Sequence, residues 1–477
     1  MKPPSLESLS TIQADGSRRF VHPADVRGPL TKARRLVAWL LIAFYAALPW
    51  IRVGGHPAVF LDVQTRRFHF MGLVLATQDL WIGFFLITGL AFGLFYLTAL
   101  FGRLWCGWAC PYTVLLEHLY RRIERWVDGD ASARRRLDQA PLNARNLIRR
   151  LIKHSLYLLL SAAIAHLFLS YFVSIEQLYR MMQGPPREHL QAFGVVLFLT
   201  AALYFCFSWF REQFCIILCP YGRLQSALTD EHSIVIGYDR RRGEPRGKAG
   251  STDGACVDCR RCVQVCPTGI DIRNGLQLEC IGCAACVDAC DEVMVKLKRP
   301  PGLVRYASQM ALQGGRTRWL RPRILLYSIM LMAGLVALGL SLQRISPLHV
   351  AAVRMVGAPF YVADGQLRNQ FLLRVINKRH EAMNYRIALE PLAGSPLPAS
   401  LKASGTTDPL HLDALGETQV PIIFSLPVAD FKPALRLRLR VDEENGKVGN
   451  SSRVLELLGP DPNLQTHGPL DAKSFIR

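Results

Sequence analysis

Acidic side chains are scarce: 477 residues carry 37 Asp and Glu against 57 Lys and Arg, a formal net charge of +20. Half of the residues are nevertheless hydrophobic. A chain both strongly basic and half apolar suits neither a soluble enzyme nor a simple nucleic-acid binder. It suits a membrane protein whose arginines collect on one side of the bilayer. No nucleic-acid module with a basic face and interleaved aromatics is recognisable, so no nucleic-acid partner is expected. No C-x-x-C-H haem site occurs, which removes one route for passing electrons outward. No small-residue cleavage site follows the first apolar run, and the polar stretch before it is too long for a signal peptide. No cysteine lies beyond Cys290.

The thirteen cysteines before that point are organised. Cys256-x2-Cys259-x2-Cys262-x3-Cys266-Pro267 is repeated 24 residues later as Cys280-x2-Cys283-x2-Cys286-x3-Cys290. This is the two-cluster bacterial ferredoxin run, in which three thiolates of one run wrap one [4Fe–4S] cube and the fourth crosses to the other. Cys256, Cys259, Cys262 and Cys290 are therefore expected on one cluster, and Cys280, Cys283, Cys286 and Cys266 on the second. A pair of zinc sites is the competing reading, since C-x2-C pairs also make zinc knuckles. Four cysteines in one fixed order, given twice, favour clusters. Asp291 stands where the second run would carry proline. Such a module carries single electrons, and its thiolates need reducing surroundings, which predicts a cytoplasmic module.

Apolar runs predict five membrane spans at 36–51, 80–101, 154–175, 191–210 and 324–342, the first of them short. The segments 1–35, 103–150 and 211–323 hold 35 basic residues, whereas the loops 53–79 and 176–190 hold four. By the positive-inside rule the N-terminus and the ferredoxin run are cytoplasmic and the C-terminal region lies outside. The expected organisation is a poorly ordered cytoplasmic arm (1–35) and a four-span α-helical membrane domain (36–228). A cytoplasmic ferredoxin module (229–323), a fifth transmembrane helix (324–342) and a periplasmic domain (343–477) follow. In that last part Leu435, Leu437, Leu439 and Val441 alternate with Arg436, Arg438 and Arg440, a strand with one buried face. Asn445-Gly446 is a favoured hairpin turn before Val454–Leu458, and 371–376 and 420–426 read as further strands. Short strands without cysteine or helical period predict an immunoglobulin-like β-sandwich.

Two copies of a second motif follow the second and fourth spans: Cys106-Gly-Trp-Ala-Cys110-Pro111-Tyr112 and Cys215-Ile-Ile-Leu-Cys219-Pro220-Tyr221. A four-residue spacing on a helix sets both sulfurs of a pair on one face, and the proline unsettles the helix there. Paired soft thiolates suit Cu(I); they could equally form redox disulfides or flank a quinone site. Cys206 reads as a small residue of a membrane helix. His118, His154 and His166 are candidate ligands by type alone.

These motifs, with YDRRRGEPRG (238–247) and RYASQMAL (305–312), resemble the cytochrome c oxidase accessory proteins of the CcoG/FixG/RdxA family over nearly the whole chain. The resemblance implies a bacterial inner-membrane iron–sulfur oxidoreductase that reduces Cu(II) to Cu(I) for assembly of cbb3-type oxidases. Cys106, Cys110, Cys215 and Cys219 match its copper-handling positions. It also implies a periplasmic immunoglobulin-like domain, and the oxidase and copper-delivery proteins as partners. Related membrane ferredoxins that act as quinol dehydrogenases are the alternative, and a non-enzymatic assembly scaffold is another. The cytoplasmic electron donor is not named by the sequence, and a homodimer stays open.

Overall fold

The computed structural model describes residues 11, 18–63, 65–76, 79–141, 143–247, 254–343, 346–392, 396–405, 409–433, 435–444 and 451–460. They form two compact units, the chain passing from the first to the second between Ser341 and Leu342.

Among the described residues four helices are long and apolar enough to cross a membrane: Trp81–Phe101, Ala144–Leu169, Pro186–Phe210 and Pro322–Gln343. The last spans 22 residues, about 33 Å at 1.5 Å per residue, the thickness of a hydrocarbon core. Their flanks expose large apolar side chains such as Phe84, Ile87 and Leu90, as lipid-facing surfaces do. The apolar stretch expected at 36–51 belongs to the helix Pro29–Ala47. Its first two turns carry Lys32, Arg34 and Arg35, and it is not among the four. The span expected at 154–175 begins earlier and ends earlier, because Asn143 caps the helix by accepting from the Asn146 amide at 3.0 Å. Ile175 already opens the next helix, Ile175–Gln183.

The arm expected to be poorly ordered is packed from residue 18 onward. The Ala24 amide donates to the Gln264 carbonyl at 2.8 Å, and Arg261 donates to the Asp25 carbonyl at 2.7 Å. Ala24, Val26 and Leu30 lie against the buried core around the cysteine runs. Apolar side chains at alternate positions let this extended segment cover the module rather than trail from it.

That module is closed by an antiparallel strand pair, Val235–Tyr238 with Val304–Ala307. Between those strands run the two cysteine loops and the helices Arg261–Gln264 and Ala285–Lys296. Ile236, Val265, Ile272, Ile281, Met294 and Leu303 are buried with the cysteines in one core.

The second unit is a sandwich of two antiparallel sheets. One has the order Lys402–Ser404, Glu417–Pro427, Gln366–Asn377, Leu348–Arg354, with Tyr361–Ala363 also paired to Gln366–Asn377. The other has the order Leu410–Leu412, Met383–Pro391, Arg436–Glu443, Ser451–Glu456. Leu437, Leu439 and Val441 are fully buried while Arg436 and Arg438 face outward, which is the period-2 pattern of a half-buried strand. They share the core with Leu367, Leu373, Val375, Ile422 and Phe424 of the facing sheet. The Asn445-Gly446 turn lies outside the described residues.

Candidate iron–sulfur and thiol site

The two cysteine loops are built alike. Asp258 (φ +50°) and Arg260 (φ +53°) lie in the left-handed region in the first loop, and Gly282 (φ +68°) and Ala284 (φ +60°) take the same places in the second. These paired reversals, one on each side of the middle cysteine, curl the chain so that successive sulfurs turn toward a common centre. Three of the four positions are not glycine, and each costs about 1 kcal/mol or more of backbone strain. Arg260 and Ala284 then serve as N-caps of the helices Arg261–Gln264 and Ala285–Lys296.

One cavity is lined by Cys256, Cys259, Cys262 and Cys290. A second is lined by Cys266, Cys280, Cys283 and Cys286, with Cys262 also on its wall. Burial is the first cause that pushes the Cys262 thiol up to about 11 and the Cys280 and Cys290 thiols to about 12. Bare thiolates would be costly here, and a bound iron cluster would hold the sulfurs deprotonated. A four-thiol donor set around each of two apolar-walled cavities fits a [4Fe–4S] cube at each. Among the described residues no three His, Cys, Asp or Glu side chains converge as they would on a single metal ion. The GEPRG stretch packs beside the first cavity: the Gly247 amide donates to the Cys256 carbonyl at 3.1 Å and the Cys256 amide to the Gly243 carbonyl at 3.4 Å.

The C-x3-C-P pairs do not ride continuous helices. Cys106 sits in Leu104–Trp108, but Cys110 is extended (φ −60°, ψ 123°) and caps a new helix beginning at Pro111. Cys215 lies in a π-helical turn, Phe214–Leu218, and Cys219 (φ −68°, ψ 112°) caps the helix Pro220–Leu228. A residue before proline is driven out of the helical region, so each motif ends one helix at its second cysteine and starts another. The expected shared helical face is thereby replaced by a corner.

The two corners meet. Cys110 and Cys219 lie close enough to oppose ionisation of the Cys106 thiol, and Cys110, Cys106 and Cys219 that of Cys215. Burial is the first cause that raises the Cys106 thiol to about 11 and the Cys215 thiol to about 12. Gln225 Nε2 donates to Cys106 Sγ at 3.4 Å. Arg103 holds Gln225 in place, donating to its Oε1, to the Gly222 carbonyl and to the Leu278 carbonyl. Tyr112 crosses from the first motif to donate to the Arg211 carbonyl at 2.6 Å. Tyr221 of the second reaches back to Thr98.

This thiol group abuts the second cluster loop. A Cβ at Gly107 would stand 2.6 Å from the Ile281 carbonyl and 2.8 Å from the Cys283 backbone. Trp108 Nε1 donates to Tyr306 Oη at 3.1 Å, and Tyr306 donates to the Gly282 carbonyl at 2.6 Å. Cys106 belongs to the same buried core as Cys262, Cys283 and Cys286. The sequence reading missed Arg103, Gln225, Gly107 and Tyr306. The glycine between the first pair of cysteines, absent from the second copy, was the visible signal.

The histidines go elsewhere. His154 Nδ1 lies 2.9 Å from Tyr204 Oη, and His166 Nδ1 lies 2.8 Å from the Ala162 carbonyl of its own helix. His118 lines a separate cleft. Cys206 lends its backbone carbonyl, which accepts from Tyr112 Oη at 3.0 Å.

Three domain families match along the chain: a 4Fe-4S binding domain over residues 81–129, a 4Fe-4S dicluster domain over 210–309, and the IG-like fold at the C-terminal of FixG over 338–458. The nitrogen fixation protein FixG of Rhizobium meliloti is 34% identical over 441 residues, covering 81% of this chain and 82% of that one. Protein RdxA of Cereibacter sphaeroides is 33% identical over 453 residues, 91% of this chain and 95% of its own length. This chain belongs to the FixG/RdxA family. Protein RdxB of the same organism, 36% identical, covers 78% of this chain and 82% of its own. The FixG/RdxA protein described here is thus a membrane iron–sulfur electron-transfer protein with a C-terminal immunoglobulin-like domain.

Proposed function

We propose that this protein reduces Cu(II) to Cu(I) at Cys106, Cys110, Cys215 and Cys219, drawing electrons from the adjoining ferredoxin module, and that the product serves assembly of a cbb3-type oxidase. The observation that carries this reading is the direct packing of Gly107, between the first two thiols, on the backbone of Cys283. The proposed ligand sets are Cys256, Cys259, Cys262 and Cys290 for one cluster, and Cys266, Cys280, Cys283 and Cys286 for the other. When bound, the clusters supply single electrons, one for each copper. The four membrane-proximal thiols are a soft donor set and favour Cu(I) over Cu(II), which assists reduction. Gln225 and Arg103 orient Cys106, and the Tyr112 and Tyr221 cross-ties hold the two corners together. The basic-residue asymmetry supports a topology with the N-terminus and the ferredoxin module in the cytoplasm and the sandwich in the periplasm, available to oxidase subunits.

The test uses anaerobically purified protein reduced with dithionite, freed of excess reductant and mixed with Cu(II) and a Cu(I)-specific chromogenic chelator. Cluster reoxidation should match Cu(I) formed, one electron for one copper. Serine variants at the four thiols should keep cluster absorbance and lose the reaction. Full activity in those variants would remove copper from this site.

A further inference from the structure

Beside the ferredoxin module lies a cleft of about 820 Å³ that neither the clusters nor the four thiols use. Eight lysine and arginine side chains line it against two carboxylates, Asp25 and Glu117. The carboxylates are already engaged, Asp25 with Arg125 and Glu117 with Arg121. Arg134, also on the wall, pairs with Glu124 at 3.3 Å. Among the described residues, Arg27, Lys32, Arg35 and Arg122 have no carboxylate within ion-pair distance. The Arg34 side chain is more than nine-tenths buried in the wall. Its nearest acid is Glu117 at 3.8 Å, and its Nε has no hydrogen-bond partner. The amides at the start of Pro29–Ala47 cannot serve an added anion, because Asp288 accepts from Thr31 N at 2.6 Å and Leu30 N at 3.3 Å. Burial and the charges of Arg35 and Arg125 hold Arg122 below its ordinary pKa. Cations confined this closely repel one another, and an anion among them relieves that cost.

The surroundings identify the anion's carrier. Lys32 begins an i, i+4 stripe that continues as Leu36, Leu40 and Phe44, all exposed. Arg122 lies over the Trp39 ring at 5.6 Å, and Trp126, on the cleft wall, is 76% exposed. A basic pocket flanked by tryptophans and opening onto an apolar helix stripe has the shape of an interfacial phospholipid site.

We infer that this cleft binds the phosphate headgroup of an anionic phospholipid, whose acyl chains run along the Leu36, Leu40 and Phe44 stripe. The site adjoins Val265, Pro267 and Ala285, next-door neighbours of the cysteines around the second cavity.

The full-length protein, delipidated in detergent, would be titrated with cardiolipin, phosphatidylglycerol or phosphatidylcholine and the bound lipids counted by native mass spectrometry. The expected result is selective retention of the anionic lipids. A K32Q/R35Q/R122Q variant should weaken it on the order of 100-fold and R122Q alone about fivefold, with cluster absorbance unchanged. If the triple variant fails to fold, the single variants R122Q and R35Q carry the same comparison. Wild-type levels of anionic-lipid retention in folded variants, or equal binding of phosphatidylcholine to wild type, would overturn the site. Deacylated glycerophosphoglycerol and inorganic phosphate are the competitors. If either binds as tightly as the lipid, the cleft takes a soluble phosphoanion and the lipid assignment falls.

Discussion

Gly107→Ala adds one methyl group where the thiol motif meets the cluster loop. The new Cβ would stand 2.6 Å from the Ile281 carbonyl oxygen and 2.8 Å from the Cys283 Cα and amide nitrogen. All three are backbone atoms, and no rotamer change relieves them. Restoring ordinary contact requires the two loops to part by about 0.6–0.8 Å, an overpacking strain of about 1–3 kcal/mol. Against this stands the helix propensity gained when alanine replaces a helical glycine, about 1 kcal/mol. Strain therefore wins or at worst balances inside the fold, whereas propensity acts alone where space is open. Gly194 provides that control: it lies in the helix Leu190–Phe205 and a Cβ there meets nothing within 4 Å. Thermal loss of cluster absorbance should come earlier in Gly107→Ala, by about 2–4 °C for each net kcal/mol. In Gly194→Ala it should be unchanged or later. The same variant should slow electron passage to Cu(II) while leaving its iron content intact. A Gly107→Ala protein as stable and as active as wild type would show that the two loops do not touch in solution, and the proposed route would lose its junction.

The remaining predictions follow from the same surfaces. Metal analysis should return about eight irons per chain, two cubes of four, and the same count after all four C-x3-C-P cysteines become serine. More iron in the wild type than in that variant would mean that those thiols hold iron. Glu124→Gln should cost about 3–5 kcal/mol, because it leaves Arg211 (2.8 Å), Arg134 (3.3 Å) and Tyr157 (2.8 Å) facing a neutral group. Burial acts to raise the Glu124 pKa, but Arg211 and Arg121 hold it down to about 2, below its ordinary 4.5. The stabilisation is therefore full above pH 4.5 and fades as pH falls toward 2. Far-UV circular dichroism melts of both proteins across that range should converge at the acid end. Gln225→Leu removes the side-chain donor to Cys106 Sγ and should lower copper reduction several-fold with unchanged cluster absorbance.

Much of this was legible because spacing carries it. The cysteine runs, the apolar spans and the alternation at 435–441 are local patterns, and each becomes a local structure: two cavities, four long apolar helices and a half-buried strand. Two expectations failed where a local rule was applied past its range. The C-x3-C spacing suggested one helical face, yet Pro111 and Pro220 force the preceding cysteine out of the helix, and the pre-proline restriction outweighs the four-residue period. The arm 1–35 reads as free because it is polar overall. Its few apolar side chains, Ala24 and Val26 among them, find a groove made by residues more than 200 positions away. Nothing in a local window reports that partner. Arg103 was invisible for the same reason: its three acceptors come from Gln225, Gly222 and Leu278.

The two C-x3-C-P copies also explain why one duplicated corner serves two purposes. Gly102 (φ 54°, ψ −129°) and Arg211 (φ 50°, ψ −126°) stand four residues before the first cysteine of each copy with nearly the same backbone turn. The corners are thus repeats of one design, and their differences mark their tasks. Gly107 in the first copy is matched by Ile216 in the second, and only the copy with glycine can lie flat on a cluster loop. Arg103 is matched by Glu212, which pairs with Arg18 at 2.8 Å and with Arg121 at 3.2 Å. Next to it, Gln213 donates to Thr11 Oγ1 at 2.9 Å. One copy faces the ferredoxin loops and the other anchors the N-terminal segment that covers the same module. Exchanging the pair, Arg103→Glu with Glu212→Arg, should therefore not restore function although it conserves charge. Each residue answers to a different neighbour, a row of carbonyl oxygens in one case and two arginines in the other.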